Sequence, residues 1–180
     1  MLTAPAKHDR GLSFTLGQCL PVIAALALMP AAAYGQTRGS AFVEAGPLAE
    51  YNSSPFGLDG LGGHVELGIY LSPTWHVGVS AETVKEHYND SSWSAYSVNA
   101  GATVPVTRRL DLELLGGVGR FRATENRLRD QGAAATLGGG AVIAVSRHLA
   151  IVPQVRGIIT FEREYIGAIS TFGVGVRWRH

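Results

Sequence analysis

Alternation of apolar and polar side chains with a period of two runs through most of this chain, and it restricts the fold more than any other feature. The clearest stretch is 172–179, where the apolar residues are Phe172, Val174, Val176 and Trp178 and the others are Gly173, Gly175, Arg177 and Arg179. A helix would scatter these residues around its axis, whereas a β-strand separates them onto two faces. The pattern therefore predicts a strand with one apolar face.

Seven further segments alternate in the same way, so we predict eight strands. From first to last apolar position they are Ala41–Ala45, Val65–Leu71, Trp75–Ala81, Tyr96–Val104, Leu110–Val118, Leu137–Val145 and Leu149–Phe161. Three connections are tight and rich in turn residues (72–74, 106–109 and 146–148), whereas 51–62, 86–92 and 124–132 are longer and polar, and 162–165 is short but charged. This arrangement predicts an all-β, eight-stranded antiparallel up-and-down barrel with both termini at the short-turn end.

The first 35 residues have the three parts of a secretory signal peptide. Lys7 and Arg10 precede an apolar run over 19–29, and small residues follow up to Gly35. We predict cleavage after Gly35, with the bond after Ala33 as second choice, so that 36–180 form the barrel domain. An uncleaved anchor helix is the alternative, but the run is shorter than the ~20 residues that a membrane span requires.

Composition excludes several classes of protein. The net charge of +1 gives no basis for nucleic-acid binding. The single cysteine, Cys19, excludes a disulfide scaffold and a site of several thiolates. No His, Asp or Glu cluster has metal-ligand spacing, and the glycine groups precede no helix pattern that would make a phosphate loop. We therefore expect no cofactor.

Two kinds of eight-stranded barrel fit the alternation, and they place the faces in opposite ways. A soluble, lipocalin-like barrel is apolar inside, whereas a membrane barrel is apolar outside and polar inside. Here the polar face combines glycines with charged residues, and Lys85 is the only lysine after the leader. These charged residues are Glu44, Glu66, Glu82, Asp111, Glu113, Arg156, Arg177 and Arg179. Glycine beside charge suits a narrow lumen, so we predict that these residues form a structural polar network inside a membrane barrel.

Charges in a lumen must be paired, because an isolated ion there costs several kcal/mol. Glu44 on the first strand and Arg177 on the last both lie near the short-turn end. Barrel closure makes these strands neighbours, so we predict that Glu44 pairs with Arg177.

The aromatic residues favour the same orientation, because a bilayer favours aromatic side chains at its two interfaces. Near the short-turn end lie Trp75 and Trp178, and near the loop end lie Tyr51, Tyr88, Trp93, Tyr96, Phe161 and Tyr165. We predict that these residues form two membrane-interface bands.

On these features the chain resembles the bacterial outer-membrane β-barrel superfamily, in particular the small OmpA/OmpX/Ail-like eight-stranded barrels, over about 37–180. The C-terminal alternation that ends in Trp178 matches the strand that the barrel-assembly machinery recognises in this family, although the last residue is His180 rather than the usual aromatic. The resemblance implies an integral outer-membrane protein that contacts outer-membrane lipid and lipopolysaccharide, and we expect a monomer. We also expect no periplasmic peptidoglycan-binding domain of the OmpA type, because the sequence stops at the end of the eighth predicted strand.

Some barrels of this superfamily modify lipid A, so we searched for catalytic sets. His87, Asp90 and Ser91 or Ser92 fall in one polar loop and loosely resemble the rim residues of a lipid A palmitoyl transferase, but the surrounding sequence differs. A polar hairpin needs such residues for turn geometry in any case. We therefore expect a non-enzymatic barrel with a structural or surface-interaction role and a side-chain-filled lumen without a wide pore. A lipid A-modifying enzyme and a soluble ligand-binding barrel are the alternatives.

Overall fold

The eight predicted strands form one closed antiparallel barrel. The computed structural model describes residues 38–51, 58–87, 91–125, 128–161 and 166–180, so the predicted signal peptide lies outside the described residues. The strands are β1 (Ala41–Tyr51), β2 (Leu58–Tyr70), β3 (Trp75–Glu86), β4 (Ser92–Pro105), β5 (Leu110–Glu125), β6 (Leu128–Ala144), β7 (Leu149–Phe161) and β8 (Ile166–Arg179). Each strand pairs with its neighbour in sequence, and β1 pairs with β8 to close the barrel. Within the described ranges no helix is long and apolar enough to cross a bilayer.

The three short turns are stabilised by the same side-chain device. Ser72 Oγ, Thr107 Oγ1 and Ser146 Oγ each accept a hydrogen bond from the backbone N–H three residues later, at 3.0–3.1 Å. In each case the donor is the first residue of the next strand, namely Trp75, Leu110 or Leu149. The hydroxyl residues of the predicted turns therefore hold the start of β3, β5 and β7 in place.

The apolar face points outward and the charged face points inward. Leu67 and Val176 are 50% and 51% exposed, whereas Glu66 and Arg156 are 1% and 2% exposed. The large outward residues are mostly Val, Leu and Ile, on all eight strands. This is the arrangement of a membrane barrel and the reverse of a soluble one.

Two predicted loops are wrong in extent. β2 begins at Leu58, within the predicted loop 51–62. The predicted loop 124–132 is shortened from both sides, because β5 extends to Glu125 and β6 begins at Leu128, with Arg122 opposite Gln131 and Thr124 opposite Arg129. These two strands are the longest of the barrel, at 16 and 17 residues. Backbone hydrogen bonds alone can hold two strands together where neither face of the pair is apolar. The outer ends of β5 and β6 therefore show no apolar alternation in the sequence.

Candidate functional site: the barrel interior

All eight charged residues predicted for the lumen are buried in the barrel interior. Each is at most 7% exposed, and together they are Glu44, Glu66, Glu82, Asp111, Glu113, Arg156, Arg177 and Arg179. Four of the carboxylates gather around two of the arginines, Arg156 and Arg177, which organise the interior. Asp111 and Arg179 lie closer to the short-turn end, at the second residue of β5 and the last of β8.

Arg177 forms the first of these centres. Its Nε donates to Glu44 Oε2 at 2.7 Å, which confirms the predicted pair between β8 and β1. Its Nη1 and Nη2 donate to the two carboxylate oxygens of Glu113 at 2.6 and 2.8 Å. The guanidinium also lies over the ring of Phe42, 4.6 Å from its centroid. Two carboxylates and one aromatic face thus compensate the buried cation.

Arg156 on β7 forms the second centre. Its Nη1 donates to Glu82 Oε1 at 2.8 Å and its Nη2 donates to Glu66 Oε2 at 2.7 Å. Its Nε donates to Gln154 Oε1 at 2.7 Å. The side chain therefore crosses the lumen from β7 to β2 and β3, on the far side of the barrel.

Gln154 joins the two centres into one network. Its Nε2 donates to Glu44 Oε1 at 2.9 Å, while its Oε1 accepts from Arg156. His64 Nε2 also lies 2.9 Å from Glu44 Oε1. Gln154 and His64 were not among the predicted network residues, although both occupy inward positions of the alternation. Gln154 and His64 contact Glu44 only because β7, β2 and β1 are aligned across the lumen in this register. Alternation shows that the two side chains face inward, but it does not show which residues meet there.

Glycines opposite the long side chains make room for them. A Cβ at Gly175 would lie 2.7 Å from Glu44 Oε1, and a Cβ at Gly101 would lie 2.1 Å from His76 Cε1. Real Cβ atoms do not approach so closely. The mixture of glycine and charge on the inward face is therefore a packing requirement of a narrow barrel.

The loop-side part of the lumen is apolar, which corrects the expectation of a wholly polar interior. A buried apolar cluster fills it, consisting of Val84, Trp93, Ala95, Phe121, Ala134 and Ile158. The rings of Trp93 and Phe121 lie 5.8 Å apart, and Trp93 Nε1 donates to buried Glu50 Oε2 at 2.7 Å. We call this cluster the loop-side plug.

The prediction that Trp93 belongs to a membrane-interface band is wrong. Trp93 is 3% exposed and lies in the loop-side plug. The physical reason is the pleat of β4, in which residues at odd spacing point to opposite faces. Tyr96, three residues later, is 58% exposed on the outer wall.

Five of the predicted interface aromatics do lie on the outer wall. Tyr51, Tyr96, Phe161 and Trp178 are exposed and Trp75 is half-buried. Trp178 stacks on the ring of His180 with centroids 5.7 Å apart. Tyr88 and Tyr165 lie outside the described residues.

A third group of rings lies inside the short-turn end of the barrel. Phe42, Tyr70 and His76 are fully buried and pack with centroids 5.3–5.7 Å apart. The Tyr70 hydroxyl accepts from Arg177 Nη1 at 3.3 Å. These rings join the polar network to the turn end of the lumen, so the described interior consists of a ring cluster, a charged middle and the loop-side plug.

The rim residues considered for catalysis are only partly described. Ser91 Oγ donates to Glu86 Oε2, and Asp90 lies outside the described residues. Elsewhere, the buried hydroxyls of Ser80 and Ser97 bond to each other at 2.8 Å and to Asn99. Among the residues that the structure describes, no group of three or more His, Asp or Glu side chains is arranged to hold a metal ion.

The geometry defines a closed eight-stranded barrel with an apolar outer wall and a buried ionic network. Among solved structures the chain is similar to Neisserial surface protein A, with TM-score 0.67, 14% identity, and coverage of 79% of this chain and 100% of that one. It is also similar to Ail of Yersinia pestis, with TM-score 0.57, 16% identity, and coverage of 80% and 100%. The N-terminal barrel domain of Pseudomonas aeruginosa OprF gives TM-score 0.54, 17% identity, and coverage of 79% and 100%.

These similarities confirm the fold that the resemblance implied, an eight-stranded barrel of the outer-membrane type. No protein-family model matches the sequence, and no curated protein matches it.

Proposed function

We propose that this chain is an integral outer-membrane protein of the bacterial cell envelope with a structural or surface-interaction role. The observation that carries the proposal is the outer wall, where large apolar side chains stand exposed on all eight strands. In water such a wall would be an aggregation surface far larger than the apolar patches of soluble proteins. In a bilayer the same wall contacts acyl chains at no cost.

The filled interior supports a role other than wide diffusion. The polar network crosses the lumen from β8 to β5 and from β7 to β2 and β3. The ring cluster adjoins it on the turn side and the loop-side plug lies on the other. We therefore propose that the lumen is a structural element and contains no wide pore.

The two alternatives are less well supported. A soluble ligand-binding barrel would need an apolar interior and a polar wall, and the faces are the other way round. A lipid A-modifying enzyme would need an activated nucleophile, and the rim hydroxyl of Ser91 contacts Glu86 rather than a histidine.

The proposed partners are outer-membrane lipid, lipopolysaccharide and the barrel-assembly machinery, the last through β8. In this strand Phe172, Val174, Val176 and Trp178 are exposed on the outer wall. Ail, a protein of similar fold, has been crystallised in complex with the heparin analogue sucrose octasulfate. We propose that the barrel is monomeric and that it has no nucleic-acid partner.

Fractionation of cells that express the full chain tests the proposal. We expect the protein in the outer-membrane fraction of a density gradient, shortened by removal of 1–35. We also expect it to migrate faster in gel electrophoresis when it is left unheated in detergent, because a closed barrel stays folded there. Recovery in the soluble periplasmic fraction, with no heat-dependent change in migration, would overturn the proposal. Unchanged lipid A mass spectra on expression would count against the enzyme alternative.

A further inference from the structure

The positive charge on the outer wall lies on one side of the barrel. The exposed outward residues Arg120 and Arg122 lie on β5, and Lys85 lies on β3. Neither arginine side chain has an ion pair or hydrogen bond within the part of the chain that the structure describes. The outward positions described on β7, β8 and β1 carry no basic residue. The charge asymmetry therefore distinguishes one wall of the barrel.

Arg120 lies at the expected height of the lipid headgroups. Ten residues separate it from Leu110 at the start of β5. At ~3.3 Å per residue and a strand tilt of ~40°, this distance corresponds to ~25 Å along the barrel axis, which is about the height of the apolar band of such barrels. Both arginines are thus near the interface on the loop side, where a guanidinium on the lipid-facing wall costs little.

An apolar groove leads directly to these arginines. It has a volume of about 610 Å³ and is lined by outward side chains that include Leu67, Val79, Ala81, Val98 and Val118, with Arg120 at its end. A second depression of about 420 Å³ continues from Arg120 to Arg122 and Gln131. Tyr96 and Gly119 line both. We call the two together the arginine groove.

Small residues between larger ones create this shape. Ala81 lies opposite Tyr96, and Arg120 lies between Tyr96 and Ala133 across the strands. Tyr96 and Val118, at 58% and 68% exposed, project further than these alanines. The short alanine side chains beside these larger ones account for the depression in the wall.

We propose that the arginine groove binds one molecule of a phosphate-bearing glycolipid of the outer leaflet. One acyl chain lies along the apolar part, and a phosphate lies against Arg120 and Arg122. A planar guanidinium donates two parallel hydrogen bonds to a phosphate and carries the opposite charge, whereas an uncharged sugar offers no such charge. A second copy of this chain fits less well, because a symmetric contact would bring two positive surfaces together. This inference rests on the proposed membrane location.

The test compares two lipids that differ only in phosphate. The refolded mature chain in zwitterionic detergent is titrated with lipid A that carries two phosphates, and with the same lipid after removal of both, and binding is followed by native mass spectrometry. We expect at least tenfold tighter binding of the phosphorylated lipid. Equal binding of the two lipids, or a dimer in place of a lipid adduct, would overturn the inference.

Variants locate the site. Arg120→Gln with Arg122→Gln should remove the preference for phosphate. The control, Arg108→Gln with Arg109→Gln, changes the charge equally on an exposed short turn and should keep the preference. Ala81→Phe fills the apolar part of the arginine groove and should weaken the binding of both lipids to the same extent. Loss of the preference in the control variant would show a non-specific effect of charge and refute the assignment.

Heat-dependent migration of every variant separates this inference from the proposed function. A folded barrel without any preference for phosphate refutes the arginine groove and leaves the membrane location intact. If the wild-type chain forms no detergent-stable barrel, both the arginine groove and the proposed membrane location are refuted.

Discussion

Arg177 on β8 donates to both carboxylate oxygens of Glu113 on β5, and this pair connects strands that are not neighbours. Because the same guanidinium also bonds Glu44 on β1, one side chain ties three strands across the lumen. Adjacent strands are held by their backbone ladder. The ion pairs instead define the cross-section of the barrel.

Arg177→Met should lower the free energy of unfolding by ~3–5 kcal/mol, because it leaves Glu44 and Glu113 as buried carboxylates without their cation. Urea unfolding followed by heat-dependent migration measures the change. Arg147→Met, on an exposed short turn, is the matched control and should alter stability by less than ~0.5 kcal/mol. Equal effects of the two substitutions would contradict the network.

Fluorescence quenching in single-tryptophan variants should distinguish the two tryptophans of the outer wall from Trp93 in the lumen. The chain has three tryptophans. Lipids brominated on their acyl chains should quench the fluorescence of Trp75 and Trp178, which lie on the outer wall. They should leave Trp93 largely unquenched because it lies in the loop-side plug. Strong quenching of Trp93 would place it outside and contradict the fold.

A charge on the outer wall should have a cost that depends on its height. Val174→Arg on β8, about halfway up the wall, should destabilise the barrel in bilayers by ~2–4 kcal/mol. Ala168→Arg, six residues away on the same exposed face and nearer the loop end, should cost no more than ~1 kcal/mol. Refolding titrations in lipid vesicles provide the comparison. If both variants were equally stable, the wall would not lie in hydrocarbon.

Two glycine substitutions should differ in their effect on the free energy of unfolding, because one glycine faces the lumen and the other faces outward. Gly101→Ala places a methyl group against His76 inside the barrel and should cost ~1–3 kcal/mol. Gly116→Ala adds the same group on the outer wall, where the nearest atom is 4.0 Å away, and should be neutral or slightly stabilising. Chemical denaturation of both variants tests the difference, and a neutral Gly101→Ala would show that the lumen has unused space.

The wild-type barrel should give no steady nanosiemens steps in planar bilayers, because the network and the loop-side plug occupy the lumen. Any small residual current should favour cations, since six buried carboxylates exceed three buried arginines in the described interior. Large, anion-selective steps would contradict the filled lumen.

Much of the fold could be predicted from alternation. The parity of residues such as Glu66 and Leu67 identified which side chains face inward, and the hydroxyl residues Ser72, Thr107 and Ser146 marked the short turns. The β1–β8 contact could also be inferred, because closure of a barrel leaves only one partner for the first strand. These features depend on local order and on topology, both of which one sequence contains.

The missed features depend on distance across the lumen or on position along a strand. Its place near the strand end groups Trp93 with the wall aromatics, although its alternation with Ala95 indicates the inward face. Gln154 and His64 join the network only because the registers of three strands bring them to Glu44. The length of β5 and β6 past Arg122 follows from backbone pairing, which leaves no pattern of apolar residues.

The seam between β1 and β8 has a consequence for assembly. Glu44 stands on the earliest strand and its cation on the strand that follows all the others, 133 residues further along the chain. Until β1 and β8 pair, the carboxylate of Glu44 needs water or a small cation in place of the guanidinium. We therefore expect the charged centre of the lumen to lose its water only as the seam closes.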